Sequence, residues 1–320
     1  MTISPMSLGD LFDRWFKLIG KTWLRNLILS GITLGPAALV LAVCMDIGFS
    51  QMGALADFDA ADAESGFYPA LFEFLAWLLL GLVLFFLGTI GAMVAITKVS
   101  CAEMSGQPLS WQEALQSAFA VPFFRIVAQY ILMGIGFGIL VGIPYGLIAA
   151  GIAAESVGLG LFGGLLLMAL IPGVIYLAIN FAFLVPATVW ESETTIGAFS
   201  RSWDLVRGNW WRTLGILILM SLVVSFAISI IMTPLSLIAL WGFFQSYFEM
   251  LGSLGDGEPD PAIARDMLAS FGFAFGLVNA VSSLAQVMVA PLYTVVMYFD
   301  LRARNGEFGQ PATPAPAPIR

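Results

Sequence analysis

Six long apolar runs, separated by short polar segments, dominate the pattern of the chain. They lie at 27–47, 71–97, 126–150, 161–189, 211–233 and 268–299. A helix needs about 20 residues to cross the hydrocarbon core of a bilayer, and each run reaches that length. The runs are continuous rather than alternating, which is typical of helices and not of barrel strands. The pattern therefore predicts an all-α integral membrane protein with about six transmembrane helices.

A shorter apolar stretch at 235–248 follows Pro234. It is too short for an ordinary crossing. A seventh crossing would also separate Arg302 and Arg304 from the other basic residues, against the usual bias of membrane proteins. We therefore expect this stretch to be an interfacial or kinked extension of the fifth transmembrane helix.

The composition agrees with a membrane protein, because 59% of the residues are hydrophobic and only 11% are charged. Soluble domains contain about 45–50% apolar residues. The few charges also orient the chain, since basic residues accumulate on the cytoplasmic side. Of the 13 basic residues, all but Arg265 fall on one predicted side: Arg14, Lys17, Lys21, Arg25, Lys98, Arg125, Arg201, Arg207, Arg212, Arg302, Arg304 and Arg320.

This asymmetry predicts that both termini lie in the cytoplasm. The net charge of −8 then belongs to the loops on the opposite side. Acidic external loops give no reason to expect a nucleic-acid partner.

An internal repeat precedes the pairs of apolar runs. After a shift of 188 positions, Gly9, Trp15, Gly20 and Trp23 fall on Gly197, Trp203, Gly208 and Trp211. A more degenerate copy lies at 110–125. We therefore expect three repeats, at about 7–97, 110–189 and 194–300, each an interfacial amphipathic helix followed by a two-span hairpin. Together they form one polytopic domain at 1–308, and the Pro/Ala-rich segment 309–320 is expected to be a disordered cytoplasmic tail.

The segment 201–213 gathers three arginines and three tryptophans. The pattern predicts one helical stripe, with the arginines on other faces, formed by Ile196, Phe199, Trp203, Val206 and Trp210. Such an in-plane helix anchors a protein at the membrane surface. It either orients the chain only, or forms a site for anionic phospholipid or a protein partner. The candidates for contact with lipid headgroups are Arg201, Trp203, Arg207, Trp210, Trp211 and Arg212.

Neutral polar residues within the apolar runs form a second candidate site. They are Asn180 in the fourth run and, at spacings typical of one helical face, Asn279, Ser282, Ser283 and Gln286 in the sixth. Such residues either join helices through hydrogen bonds or line a cavity for a lipid or small polar solute. Charged residues are absent from the cores of the predicted spans, which argues against a proton-coupled pump.

Several motifs in fixed order resemble one bacterial family. They are S-L-G-D-L-F-D-R-W-F at the start, A-I-T-K-V-S-C-A-E-M-S-G-Q-P-L-S-W-Q-E-A-L after the second run, I-P-G at 171–173, F-L-V-P-A-T-V-W-E, R-S-W-D-L-V-R-G-N-W-W-R and Y-F-D-L-R-A-R-N-G-E-F. The family is the membrane-spanning domain of bacterial glycerophosphoryl diester phosphodiesterases, in its stand-alone form without the catalytic domain. The resemblance implies a multi-span domain of a bacterial plasma (inner) membrane and extends to about residue 308.

The resemblance does not imply phosphodiesterase activity. The catalytic domain of that family uses metal-binding carboxylates and catalytic histidines, whereas this chain has no histidine and only two cysteines. Histidine-based acid–base catalysis and a zinc site of cysteine and histidine are therefore excluded. We expect no enzyme activity, catalytic residue, metal or cofactor.

Two functions fit these patterns. The first is a non-enzymatic inner-membrane protein that engages phospholipids or other membrane proteins in envelope organisation or homeostasis. The alternative is a permease or lipid-translocating transporter that uses the polar face of the sixth span. The expected partners are membrane lipids, with anionic phospholipid foremost, and either another membrane protein or further copies of this chain.

Overall fold

The computed structural model describes residues 4–54, 63–253 and 261–308, and all regular structure in these ranges is helical. The predicted all-α class is confirmed. Arg320 and the predicted tail at 309–320 lie outside the described residues. Eleven helices occupy the described ranges: α1 Leu8–Thr33, α2 Gly35–Ala54, α3 Ala63–Met104, α4 Trp111–Ala118, α5 Val121–Ala153, α6 Val157–Asn180, α7 Leu184–Trp190, α8 Thr195–Val206, α9 Trp210–Ala239, α10 Trp241–Ser253 and α11 Pro261–Arg304.

Six stretches in the described ranges are long and apolar enough to cross a membrane, as the sequence predicts. They are Gly35–Met52, Phe67–Met104, Val121–Ala153, Val157–Trp190, Trp210–Ala239 and Arg265–Arg304. The chain is therefore a multi-pass membrane protein.

The first apolar run, predicted at 27–47, is not one continuous helix. Leu34 separates α1 from α2. Pro36 follows this break, and a proline cannot donate the backbone hydrogen bond that a continuous helix would need there. The crossing is accordingly built from α2, and α1 supplies only its beginning.

The stretch 235–248 is also divided, because α9 ends at Ala239 and α10 begins at Trp241. Residues 235–239 belong to α9 and residues 241–248 to α10, and backbone hydrogen bonds from Leu240 to Ser236 and from Phe244 to Leu240 carry the helical pattern across the break, as in a kinked extension of α9. Phe243 of α10 packs on Phe271 of α11, with the two ring centroids 5.0 Å apart.

The central body of the protein, defined here as α2, α3 and α11, is held by close contact between helix backbones. A Cβ atom added to Gly276 of α11 would lie 2.5 Å from the Cα of Ala42 in α2. A Cβ on Gly88 of α3 would lie 2.9 Å from the carbonyl oxygen of Thr33. Small residues permit this approach between membrane helices, where packing replaces the hydrophobic effect as the driving force.

A second unit, the hairpin of α5 and α6, contacts the rest of the protein mainly at one end. The two helices pack on each other where a Cβ on Gly151 would meet the backbone of Gly160 at 2.5 Å. In α5, the buried side chains near the body are Phe123, Ile126 and Gln129, which all lie in its first turns. The remaining surface of the hairpin is largely exposed and apolar, as expected for contact with lipid.

The three amphipathic segments of the predicted repeat form α1, α4 and α8, which begin after Ser7, Ser110 and Thr194. Each of these residues accepts a backbone hydrogen bond and caps its helix. The first and third copies nevertheless differ at Gly20 and Gly208, which the shift of 188 positions superimposes. Gly208 has a φ of +86° and ends the segment after α8, whereas Gly20 lies inside α1. The threefold repeat therefore remains a prediction.

Candidate functional site

The basic residues gather at one end of the helix bundle, where most of them bind the protein itself. Arg25 of α1 lies 2.8 Å from a carboxylate oxygen of Glu103 at the end of α3. Arg125 of α5 donates to the backbone carbonyls of Ser192 and Glu193, at 2.8 and 3.0 Å. These contacts join the ends of helices that are distant in sequence, and we call this end of the bundle the basic end.

One cluster at the basic end is built around Glu191, just after α7. Arg201 of α8 binds both of its carboxylate oxygens, at 2.6 and 2.8 Å, in a bidentate geometry. The hydroxyl of Tyr298 donates to the same carboxylate, and Arg302 of α11 lies 3.3 Å from it. Glu307 in turn accepts from Arg201 and Arg302, both at 2.7 Å. These five residues, the Glu191 cluster, tie α7 and α8 to the end of α11.

The Glu191 cluster keeps its carboxylates ionised. Burial alone would raise the pKa of Glu191, but hydrogen bonds from Arg201 and Tyr298 and the charges of Arg201 and Arg302 outweigh it, so the pKa falls below its ordinary value of 4.5. Glu307 behaves in the same way, because burial opposes ionisation and the two arginines prevail. The hydrogen bonds to Glu191 and Glu307 raise the pKa of Arg201 above its ordinary value. The cluster is therefore a set of fixed charges near neutral pH.

A second cluster surrounds Asp300, whose side chain is fully buried. It accepts from the backbone nitrogen of Met6 at 2.6 Å, from Arg212 at 3.1 Å and from Arg304 at 2.9 Å. Both arginines also donate to the carbonyl oxygen of Met6. This Asp300 cluster fastens the segment before α1 to α9 and α11.

The predicted headgroup residues thus have different surroundings. Arg201 and Arg212 are engaged by carboxylates of the protein, whereas the side chain of Arg207 is exposed and has no hydrogen-bond or ion-pair partner in the part of the chain that the structure describes. Trp211 is 79% exposed beside Trp210, and Trp210 stacks on Tyr176 at 5.6 Å. Contact between these residues and lipid remains a prediction, with Arg207 and Trp211 the most accessible of them.

The predicted stripe of Ile196, Phe199, Trp203, Val206 and Trp210 is wrong as one helical face. Helix α8 ends at Val206, and Trp210 begins α9, because the left-handed conformation of Gly208 turns the chain between them. The buried face of α8 is formed by Ala198, Ser202, Leu205 and Val206, of which only Val206 belongs to the predicted stripe. Ile196 is instead 76% exposed.

Ser202 supports a break in the fourth span, which the sequence predicted as one run at 161–189. Helix α6 ends at Asn180 and α7 begins at Leu184. The hydroxyl of Ser202 donates to the carbonyl of Asn180 at 2.6 Å and accepts from the amide of Phe183 at 3.1 Å. It therefore satisfies the backbone groups that the break leaves without helical partners.

A cavity of about 330 Å³, here called the hairpin cavity, lies beside this break, between the base of the hairpin and the central body. Its volume is in the range of small-molecule sites, about 300–1,000 Å³. The lining combines apolar side chains from α3, α5, α7 and α11 with six neutral polar ones: Thr97, Gln129, Tyr130, Gln286, Tyr293 and Thr294. No Asp, Glu, Lys or Arg is among the lining residues.

The side chain of Gln129 is only 1% exposed, and burial normally requires that each polar atom has a hydrogen-bond partner. Its amide nitrogen donates to the hydroxyl of Thr188 at 2.8 Å and to the carbonyl of Thr195 at 3.2 Å. Since a carbonyl accepts only, the contact with Thr195 fixes which end of the amide is nitrogen. The amide oxygen of Gln129 has no hydrogen-bond partner among the described residues. A buried acceptor without a partner is unfavourable by about 1–3 kcal/mol, and a donor that reached this oxygen would remove that cost.

An apolar groove of about 360 Å³ adjoins the hairpin cavity, with Met133 and Phe181 lining both. It runs between α5 and α6, and we call it the hairpin groove. Its other lining residues are Leu132, Gly136, Phe137, Leu140, Val174, Leu177, Ala178 and Phe199. The cavity and the groove together offer a mainly apolar chamber with six polar side chains, followed by an apolar channel.

The predicted polar face is only partly brought together. Gln286 lines the hairpin cavity, whereas Asn279, Ser282 and Ser283 do not. The Asn279 side chain donates to the carbonyl of Phe275 in its own helix, at 2.9 Å. Asn180 likewise donates to Tyr176, at 2.8 Å, beside the helix break. Sequence reasoning missed Gln129, although an amide inside the apolar run 126–150 was the signal that could have revealed it.

The fold and the cavity define a class: a multi-pass α-helical membrane protein with an uncharged cavity beside a broken transmembrane helix. The described residues hold no group of three His, Cys, Asp or Glu side chains suited to a metal ion.

The chain belongs to the family described as a domain of unknown function, DUF7847, whose model matches residues 113–301, more than half of the chain. The matched region includes the lining residues from α5, α7 and α11. No curated protein and no solved structure matches the chain. The resemblance to the phosphodiesterase membrane domains is thus a prediction from the sequence alone.

Proposed function

We propose that this is a non-enzymatic protein of the bacterial plasma membrane that engages phospholipids or other membrane proteins in the organisation or homeostasis of the envelope. In this proposal the basic end faces the cytoplasm, because basic residues are retained on that side of the membrane. The resemblance to membrane domains of glycerophosphoryl diester phosphodiesterases fits a non-enzymatic role, since those domains lack the catalytic residues.

The observation that carries the proposal is the hairpin cavity with its adjoining groove. The hairpin is attached to the body at the basic end, so the space between the two units adjoins the lipid phase. Gln286, which lines the cavity, is exposed and lies well inside the apolar part of α11. A lipid can therefore reach the cavity laterally, without passing through water.

The test is to measure which lipids stay with the protein during purification in a mild detergent, using mass spectrometry of extracted lipid. Wild-type protein is expected to retain lipid in a fixed ratio. Ala290→Phe, which fills the hairpin cavity, should remove most of it. Ala149→Phe adds the same bulk to an exposed position of α5 and serves as the matched control. Equal lipid retention by both variants and wild type would reject a lipid site in the cavity.

The alternative is a permease or lipid translocator that uses the polar face of the sixth span. Two observations favour it: the cavity reaches Gln286, and it lies beside a discontinuous helix, a feature that frames substrate sites in transporters. Proteoliposomes containing fluorescent phospholipid distinguish the two functions. A translocator exposes the label of both leaflets to a membrane-impermeant quencher, whereas a protein that only binds lipid protects the inner leaflet.

A further inference from the structure

We infer that the hairpin cavity binds an uncharged amphiphile with a free hydroxyl group, such as a diacylglycerol-like lipid, with the hydroxyl donating to Gln129. This inference rests on the proposed function, because it specifies the chemical class of lipid that the cavity takes. Three features of the site lead to it: the unpaired acceptor, the absence of charge and the direction of the groove.

The unpaired amide oxygen of Gln129 requires a donor. The residue is held in place by Thr188 and Thr195, so its oxygen cannot turn toward another partner without losing both contacts. The hydroxyls of Tyr130 and Tyr293 also line the cavity and have no hydrogen-bond partner among the described residues. A hydroxyl-bearing ligand can donate to Gln129, and its ester oxygens can accept from the tyrosines.

The lining argues against a charged headgroup. Arg125 lies one helical turn from Gln129, but its guanidinium is engaged by the carbonyls of Ser192 and Glu193. A phosphate in the cavity would therefore lose its water without gaining a cation, which is strongly unfavourable. A neutral headgroup avoids this loss.

The position of the hairpin cavity along α11 and the course of the hairpin groove along α5 match a lipid from the leaflet at the basic end. With a rise of 1.5 Å per residue, Thr294 and Gln286 lie roughly 9 and 21 Å along α11 from Asp300 at the basic end. The hairpin cavity therefore begins near the basic end, at Thr294, and reaches at least the middle of a hydrocarbon core about 30 Å thick, at Gln286. The groove continues along α5 from Leu132 to Leu140, away from that end. A headgroup at Gln129 would place its acyl chain in the groove, in the orientation of a lipid from the leaflet at the basic end.

The experiment measures binding of three lipids with the same acyl chains by native mass spectrometry of the purified full-length protein. Dioleoylglycerol has a free hydroxyl, dioleoyl-acetylglycerol lacks it, and dioleoylphosphatidic acid carries a phosphate. We expect dioleoylglycerol to bind at least about fivefold more tightly than either of the others, in line with about 1–3 kcal/mol for pairing a buried acceptor.

Gln129→Leu should reduce dioleoylglycerol binding to the level of the acetylated lipid. Asn279→Leu is the matched control, because it also removes an amide from the membrane interior but lies outside the cavity. Since Gln129 also joins α5 to α7 and α8, Ala290→Phe provides a second variant that leaves those contacts intact. It should abolish the preference for dioleoylglycerol, and Ala149→Phe should not.

Equal binding of the three lipids, or a preference for dioleoylglycerol that survives both Gln129→Leu and Ala290→Phe, would overturn the inference. If phosphatidic acid binds best and Ala290→Phe removes it, the inference fails while the proposed lipid-binding function stands. If wild type retains none of the probes and no lipid from the cell, both fail together.

Discussion

Glycines in the central body and glycines along the middle of α5 in the hairpin have opposite surroundings. In the body, Gly272 and Gly276 bring the backbone of α11 against α2, so that an added Cβ would lie 2.8 and 2.5 Å from the nearest backbone atoms. In the hairpin, four glycines spaced four apart on α5 have no other heavy atom within 4 Å of such a Cβ: Gly134, Gly138, Gly142 and Gly146.

The two units thus contribute differently: close packing in the body stabilises the fold, and looser packing at the hairpin leaves space for binding. The body is fixed by contacts that leave no room for another molecule. The hairpin is fixed at its base, by the Glu191 cluster around α7 and by Gln129, and its outer part is left to the membrane. The hairpin cavity lies where these two kinds of packing meet, which explains how a space can persist in a protein that is otherwise closely packed at the basic end.

The largest expected loss of stability follows from replacing Asp300, whose carboxylate joins the segment before α1 to α9 and α11. Asp300→Ala leaves Arg212 and Arg304 without their carboxylate and should destabilise the protein by about 3–5 kcal/mol, the range for breaking a buried ion pair. The measurement is thermal unfolding in detergent. Asp204→Ala, which removes an exposed carboxylate from α8, is the control and should change little. Equal stability of the two variants would show that the Asp300 cluster does not fasten the body.

The glycines give the most direct contrast between the two units. Gly276→Ala should destabilise the protein by about 1–3 kcal/mol, since the added methyl group meets backbone atoms of α2. Gly138→Ala should stabilise it by up to about 1 kcal/mol, because alanine favours a helix and nothing occupies the space. A loss of stability in Gly138→Ala would indicate that another copy of the chain or another membrane protein covers this face.

A smaller change in stability is expected when the pH is lowered, because Glu191 lies where the hairpin joins the body. The pKa of Glu191 in the folded protein is lowered, so its contribution to stability is complete above the ordinary value of 4.5 and is lost as the pH falls through the folded value. The melting temperature should therefore decline below about pH 4.5. Glu191→Gln should flatten that decline and lower stability at pH 7. A parallel decline in this variant would assign the pH dependence to other groups.

The smallest expected effects distinguish Arg207, whose side chain is exposed, from Arg201, whose side chain is bound by carboxylates of the protein. Arg207→Gln should lower the amount of bound anionic lipid by about fivefold, equivalent to ~1 kcal/mol for one basic residue at a membrane surface, and leave thermal stability unchanged. Arg201→Gln should lower stability with little change in bound lipid, because Arg201 is engaged by Glu191 and Glu307. Lipid mass spectrometry and thermal unfolding of the same preparations test both expectations. The reverse pattern would mean that Arg201, and not Arg207, contacts the headgroups.

The spans could be predicted from the sequence because the bilayer requires continuous apolar runs of a minimum length, whatever the tertiary contacts. The break between Asn180 and Leu184 could not, since it depends on the hydroxyl of Ser202, which comes from a different helix. For the same reason Gly276 and Gly138 look alike in the sequence, although one meets a neighbouring backbone and the other meets none.

The candidate site was predicted less completely than the fold. Gln286 was identified from the polar face of the sixth span, but Gln129 was overlooked within an apolar run. The arginines of 201–213 were expected at the lipid surface because basic residues on the cytoplasmic side are common. Arginines also accumulate on the cytoplasmic side when they bind carboxylates of the protein rather than lipid. Only the three-dimensional positions of Glu191 and Asp300 show which of these two situations applies.

An experimental structure of the protein in lipid nanodiscs made with native lipid would show whether the space between hairpin and body is a lipid site. We expect elongated density in the hairpin groove that continues into the hairpin cavity and ends within hydrogen-bond distance of the Gln129 amide oxygen. A cavity closed by side chains, or one that holds only water at Gln129 with no density in the groove, would contradict this expectation.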